Sequence, residues 1–257
     1  MSNKDEDSVP GWLRDLADAA SKMEINPMAQ PPAEGGRASA VLVLFAAGPQ
    51  AEPQAGPQAE PQAGPQAEPQ AGPQPGSQAG PQPGSQAAPQ PAPGTAPNNP
   101  DLLFIQRSAD LRLHAGQPAF PGGAIDAADD GPVAAALREA KEEVGVDPDG
   151  VDVVGMLPEL FIPRTGFRVV PVLAWWREPC PVAPVDAAEV AAVERISVSQ
   201  LADPETRVMV RGPGGFLGPA FQVKGMLIWG FTAVLVDRLL ALAGWERPWN
   251  TAKVIDL

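Results

Sequence analysis

The chain has 257 residues, of which 33 are Pro and 26 Gly, too many for one packed fold of that length, so part of it is expected to be unstructured. A formal net charge of −13 argues against non-specific binding to DNA or to anionic membrane, and a phosphate-bearing ligand would need metal ions or a few placed arginines. Cys180, the single cysteine, excludes an internal disulfide or a thiolate zinc site in this sequence and fits a reducing compartment such as the cytoplasm.

The opening MSNKDEDS is acidic and polar and lacks the apolar run of a secretion signal. Pro10 to Met23 sets Trp12, Leu16, Ala19 and Met23 at helical spacing, which predicts a short amphipathic helix. Its apolar face could cover the domain core or, as the sharper reading, meet a partner such as a second copy in a homodimer. Ala38 to Ala46 and Leu102 to Arg107 are Val- and Leu-rich runs of strand length. Between them, residues 51–90 repeat a tetrapeptide ending in Pro-Gln. Proline at that density removes donors and leaves nothing to bury, so an extended, disordered chain is expected. If the flanking runs are neighbouring strands, the repeat is an insertion in their connecting loop, and long loops add little closure entropy. The expected organisation is an N-terminal helix and linker over 1–35, one domain over 36–250 interrupted at 48–100, and a tail over 251–257.

Next comes a loop ending in Phe120, Pro121, Gly122 and Gly123, with Asp126 and Asp129 before a helix over Gly131 to Val144 that Gly145 ends. Val151 to Leu157 and Phe167 to Trp176 read as strands, as does Glu189 to Val198, which runs into a short helix at Ser199 to Ala202. Gly214 to Gly218 reads as a loop that either closes over a ligand or simply turns into the C-terminal helix. Met226 to Ala243 is apolar enough for a long buried helix, and its greasiest part, Gly225 to Val236, is too short to span a bilayer. Strands alternating with helices predict an α/β (α+β) fold, a mixed β-sheet sandwiched between helices.

On the central helix, Val133, Ala136, Leu137, Ala140 and Val144 form an apolar stripe, with Arg138, Glu139, Glu142 and Glu143 on the other side. Glu139, Glu142 and Glu143 stand at i, i+3 and i+4, so one turn gathers three carboxylates. Such groups raise one another's pKa unless cations neutralise them. Mg²⁺ or Mn²⁺, hard cations that bridge substrate phosphates, suit that role. A solvated acidic face is the bland alternative, but it has no need of the Gly122-Gly123 turn or of Gly145 directly after the last Glu.

The segment resembles the Nudix box, a Gly, five residues, a Glu, seven residues, then R-E-U-x-E-E-x-G-U with U aliphatic. Gly123, Arg138, Glu139, Ala140, Glu142, Glu143, Gly145 and Val146 match, while Asp129 replaces the first Glu and eight residues precede Arg138. The lead-in through Ser108, Leu111, Arg112, His114, Gly116 and Phe120 to Gly123 is similar to that of the coenzyme A pyrophosphatases within the Nudix hydrolase superfamily. The resemblance covers about residues 36–47 and 101–250 and is specific in its first half only. It implies a Nudix-type fold with Glu139, Glu142 and Glu143 as metal ligands, one of them a base acting through water. It also implies Arg138 orienting the cluster by pairing with a carboxylate such as Asp129, and a further ligand or base from a later loop. Glu189 is the candidate for that, with Asp186 and Glu194 as near in sequence. The implied reaction is hydrolysis of coenzyme A, or an acyl derivative, to 4′-phosphopantetheine and adenosine 3′,5′-bisphosphate. Competing readings are a Nudix hydrolase for ADP-ribose, NADH or capped RNA, and a binding module without turnover.

Arg112 and the Gly122-Gly123 turn beside it are expected to bind substrate, the arginine at a phosphate; a structural salt bridge from Arg112 to Asp110 or Asp126 is the plainer alternative. Arg107 reads as a surface charge at a strand end. His114, the single histidine, has no G-x-S-x-G beside it and reads as a structural hydrogen-bonder in the loop. Cys180 reads as an inert thiol, and Trp175, Trp176, Trp229, Trp245 and Trp249 as core residues before base-stacking ones.

Overall fold

In the computed structural model, residues 8–25, 29–32, 35–48, 96–111 and 114–257 are described. The Pro-Gln repeat and Arg112 lie outside them. Two strands set the frame. β1 (Arg37–Ala46) and β7 (Phe167–Trp176) run parallel in register from Arg37 opposite Phe167 to Ala46 opposite Trp176. β1 is buried on both faces, as its near-continuous apolar run requires. Its alternation sends Val43 and Phe45 into one core and Leu42 and Leu44 into another on the opposite face.

β2 (Asp101–Arg107) pairs antiparallel with β1 only at its start, through Phe45 opposite Leu102 and Ala46 opposite Asp101. Beyond that point a single stretch of chain fills the space between them. β3 (Pro118–Ala119) pairs with β2, and β4 (Gly122–Ala124) pairs with β1. Between the two, the Leu42 N–H donates to the Pro121 carbonyl at 2.8 Å. β5 (Val151–Met156) and β6 (Leu160–Ile162) pair with the far edge of β7, and β8 (Val190–Ser197), which runs into the short helix α3 (Val198–Ala202), with the far edge of β2. The insertion thus joins strands that pair directly. Its ends also approach each other, since a Cβ on Gly48 would collide with the Asn99 carbonyl oxygen.

α2 (Gly131–Val144) lies on one face of this sheet, with Pro132 in its first turn and Gly145 left-handed at φ 77° to end it. Ala135, Ala136, Ala140 and Val144 are its buried apolar residues, and the three alanines let the helix come close to the strands. α1 (Gly11–Ser21) and α4 (Gly230–Leu242) cover the other face. On α1, Leu13, Leu16 and Ala20 are buried, and Trp12 packs edge-on against Phe45, Trp175 and Trp245. The apolar face of α1 therefore covers its own chain's core. The architecture is mixed α+β with the sheet between helices.

Three expectations need correction. Met226 to Ala243 is not one helix: β11 (Met226–Ile228) comes first, and α4 starts only at Gly230, itself at φ 68°. A short apolar run does not distinguish strand from helix by periodicity. The Gly-rich loop at 212–216 is a hairpin turn joining β9 (Arg207–Arg211) to β10 (Leu217–Val223) and does not lead into the C-terminal helix. The closing residues, expected as a tail, contain β12 (Val254–Asp256), which pairs parallel with β9 and completes a second sheet in the order β11-β10-β9-β12. Arg207 ties that sheet to α4. Its fully buried guanidinium pairs with Asp237 and, at 3.3 Å, with Glu246, and lies over the rings of Phe221 and Trp249. Among the described residues no helix is long and apolar enough to cross a membrane.

Candidate active site

The loop-to-strand segment through Gly122 and Gly123 passes directly beneath the last turns of α2. Gly122 has φ 156°, and a Cβ there would strike the Ala40 carbonyl and Val41 of β1, so the pairing of β4 with β1 requires glycine. At Gly123 a Cβ would sit 2.5 Å from the Glu139 carboxylate carbon. The missing side chain is the space that Glu139 occupies.

Glu143, expected on the solvent side of the helix, is buried, with 5% of its side chain exposed. One carboxylate oxygen, Oε2, accepts the Gly122 N–H at 2.9 Å, and the other lies 3.8 Å from an Arg107 nitrogen. Burial pushes its pKa up to about 7. The Gly122 N–H and Arg107 oppose that shift, and the charges of Glu139 and Glu189 add to it. Glu139 is also raised, again mainly by burial and against the pull of Arg138. Desolvation therefore outweighs the mutual repulsion that the i, i+3, i+4 spacing predicts.

Arg138 is the resident cation. Its Nε and one terminal nitrogen donate to the two oxygens of Asp129, both at 3.0 Å, in a fork that matches the carboxylate. The same terminal nitrogen donates to the Ala124 carbonyl at 3.1 Å, and the other lies 2.8 Å from Glu142 and 3.0 Å from Glu139. Asp129 is held below the usual carboxylate range by the hydrogen bonds from Arg138, and Arg138 is shifted further up by the same contact. So Asp129, standing where the general pattern has Glu, is the partner of Arg138.

Among the described residues, no three His, Cys, Asp or Glu side chains stand together as a ready-made metal cluster. The reason lies in the side-chain directions: Glu143 turns under the helix to Gly122, Glu139 lies against Gly123, and Glu142 points outward to Arg138. The donor set still fits a divalent ion. Glu139 and Glu143 supply hard oxygens beside a backbone cradle, and Glu142, 59% exposed, is held by an i, i+4 pair of the kind worth only about 0.3–0.5 kcal/mol. That pair is weak enough to be exchanged for a cation.

Of the three later candidates, Glu189 is the one whose charge reaches Glu143. Its carbonyl accepts the Ser108 N–H at 2.8 Å, which places it beside Arg107. Asp186 turns its carboxylate back to the Ala188 N–H at 2.8 Å, and Glu194 pairs with Lys224 at 3.1 Å. His114, at φ 57°, holds Gln117 at 2.7 Å, a bond within the loop. Cys180 is partly buried, its sulfur 3.6 Å from the Gly145 carbonyl. Trp176 and Trp245 are core residues. Arg107 is the residue beside the carboxylates that sequence reasoning misplaced. The register of β2 against β8 shifts between Gln106 and Arg107, and the guanidinium lies beside Glu143 instead of projecting from a strand end. No pattern of residue types announces a bulge there.

Residues 88–212 match the NUDIX domain family. A protein of Citrobacter koseri called "Uncharacterized Nudix hydrolase NudL" is 58% identical over 74 residues, 29% of this chain and 38% of that protein. Its namesake from Cronobacter sakazakii is 57% identical over 74 residues, with the same shares. The match therefore spans well under half the length of these relatives. A crystal structure of a Nudix hydrolase from M. smegmatis, RenU, is 19% identical, covers 84% of this chain and 91% of its own, and has a TM-score of 0.44. Residues 88–212 are thus similar to the NUDIX domain, and Nudix hydrolases are among the proteins that this chain resembles.

Proposed function

We propose that this protein hydrolyses the pyrophosphate bond of coenzyme A or an acyl derivative, releasing adenosine 3′,5′-bisphosphate and 4′-phosphopantetheine or its acyl form, with Mg²⁺ or Mn²⁺ as cofactor. The observation that carries the reading is the pair of half-buried and buried carboxylates, Glu139 and Glu143, seated on the Gly122-Gly123 strand that ends the lead-in from Ser108. The NUDIX domain over residues 88–212 supports pyrophosphate chemistry, and the lead-in supports coenzyme A over other nucleoside diphosphate derivatives.

Glu139, Glu142 and Glu143 are the residues that would hold the ion. When bound, it supplies positive charge to the diphosphate and makes an adjacent water more acidic. The protein's own groups divide the remaining work. Glu143, buried between the Gly122 N–H and Arg107, is the proposed base that takes a proton from water. Glu189 stands close enough to be a second acceptor. Arg138, fixed by Asp129 and the Ala124 carbonyl, keeps Glu139 and Glu142 on one side of the helix. Among the described residues Arg107 has no hydrogen-bonded partner on its buried Nε and only a 3.8 Å contact with Glu143, so it has donors to offer an incoming phosphate. Arg112, in the same lead-in, is proposed to bind phosphate as well. A reducing compartment, the cytoplasm, suits an enzyme with one free thiol and an intracellular substrate.

The test is product analysis by mass spectrometry after incubation with free and acylated coenzyme A, ADP-ribose and NADH, with Mg²⁺, Mn²⁺ or chelator. Adenosine 3′,5′-bisphosphate is expected from the coenzyme A substrates only when metal is present, and Glu142→Gln is expected to abolish it while leaving the fold intact. Full turnover in that variant, or in chelator, refutes the mechanism. Faster release from ADP-ribose or NADH reassigns the substrate.

A further inference from the structure

A groove of about 370 Å³ lies between the β2–β3 edge of the first sheet and the second sheet, within the size range of small-ligand sites. Gln106, Gln117, Arg164, Met226, Leu227 and Trp229 are among its walls, and none of them belongs to the carboxylate cluster. From Pro118 on its rim the chain reaches Gly122 in four residues, about 13 Å of extended strand. The groove is thus within reach of a ligand whose other end lies at Glu143.

We infer that this groove binds the nucleotide half of the substrate, an aromatic base with its attached phosphate, with Trp229 against the base and Arg164 on the phosphate. The assignment rests on the proposed pyrophosphatase activity and adds a specificity site to it.

Each wall contributes a chemistry that such a ligand needs. Trp229 is partly exposed, leans on Phe216 with ring centroids 6.3 Å apart, and offers a flat apolar face. Leu227, another wall residue, packs against the same apolar cluster as Trp229. The two glutamines are half engaged in complementary ways. Gln106 uses its amide nitrogen on the Gly116 carbonyl at 3.5 Å, which leaves its oxygen as an acceptor. Gln117 uses its oxygen on His114 at 2.7 Å, which leaves its amide hydrogens as donors. One acceptor and one donor can read the polar edge of a base. Arg164, in the turn between β6 and β7, is exposed and has no ion pair or hydrogen bond among the described residues, although the chain carries a net charge of −13. An arginine left without a carboxylate on so acidic a protein has its full fork free for phosphate.

Calorimetry on the full chain in chelator, with adenosine 3′,5′-bisphosphate and with adenosine as probes, tests the assignment, alongside steady-state hydrolysis of coenzyme A. Arg164→Ala is expected to weaken bisphosphate binding about tenfold, to leave adenosine binding unchanged, and to raise KM with kcat retained. Trp229→Leu is expected to weaken both probes, and its melting curve checks that it folds. Wild-type bisphosphate affinity in Arg164→Ala overturns the inference. So does a bisphosphate effect without any KM change, which would mark a separate nucleotide site. If both probes bind as described but nothing is hydrolysed, the groove stands and the catalytic reading fails. If coenzyme A is hydrolysed with KM unchanged in both variants, the catalytic reading stands and the groove assignment fails.

Discussion

Glu143→Gln should make the metal-free protein more stable while removing its activity. In the folded chain, burial raises the Glu143 pKa from its ordinary 4.5 to about 7. The folded state therefore binds this proton more tightly than the unfolded state does. Below pH 4.5 both states are protonated, and the group makes no demand on stability. As the pH rises toward 7 the unfolded chain releases its proton first, so stability falls, and above the folded pKa the full penalty of burying a charge is present. Each tenfold change in proton affinity is worth about 1.4 kcal/mol, which makes the total penalty about 3 kcal/mol at pH 8. Glutamine keeps an oxygen for the Gly122 N–H and carries no charge. For a domain of this size 1 kcal/mol moves Tm by about 2–4 °C, so the variant should melt about 6–12 °C above wild type at pH 8 in chelator. The difference should shrink through the window from pH 7 to 4.5 and vanish below it. Scanning calorimetry of both proteins across that range is the assay. Equal Tm values at pH 8, or a gain that persists at pH 4, would refute the claim that a buried charge is present. Added Mn²⁺ should stabilise wild type more than the variant, since only the carboxylate rewards binding.

Gly123→Ala places a methyl 2.5 Å from the Glu139 carboxylate carbon. Glu139 can swing away at little cost, so Tm should fall by only a few degrees while kcat drops at least tenfold; retained kcat would mean that the position of Glu139 is immaterial. Replacing residues 50–94 by a short Gly-Ser loop should leave kcat and KM within a factor of two, because Gly48 and Asn99 already meet. Shortening the loop about fourfold should add about 1 kcal/mol by closure entropy, read by urea denaturation. A large loss of activity would place the insertion in the catalytic cycle.

How much of this was legible in the residues depends on whether the deciding contact is local. The helix over 131–144 could be read because Pro132, the apolar stripe and Gly145 all lie within it. β1, β2 and β7 could be read because a strand buried on both faces needs a long Val- and Leu-rich run. Glu143 was placed on the wrong side, since a helical wheel does not record that β4 crosses under the last turn. Its neighbour Glu142, one position earlier, does face solvent as the wheel requires. The second sheet was missed whole: β11 and β12 are three residues each, too short for a periodic signal, and exist through pairing with β10 and β9, while β9 and β10, five and seven residues long, were not read as strands either.

Charge allocation links the two halves of the functional reading. The chain has 31 acidic side chains against 18 lysines and arginines, so a cation in it should by default be captured by a carboxylate. Arg138, Arg168, Arg207 and Arg211 are captured in that way, each with a hydrogen-bonded Asp or Glu. Arg37, Arg107, Arg164, Arg238 and Arg247 have no hydrogen-bonded carboxylate among the described residues; of these, Arg107 lies beside the buried Glu143 and Arg164 on the wall of the groove. Keeping these two clear preserves guanidinium donors at both ends of a path from the groove to the carboxylates. Arg138 has the opposite task. With four carboxylates within 4 Å it neutralises repulsion in the metal-free state, and its single contact with exposed Glu142 is weaker than its fork on buried Asp129. An incoming divalent ion would therefore compete for Glu142 first, while the Asp129 fork keeps Arg138 in place.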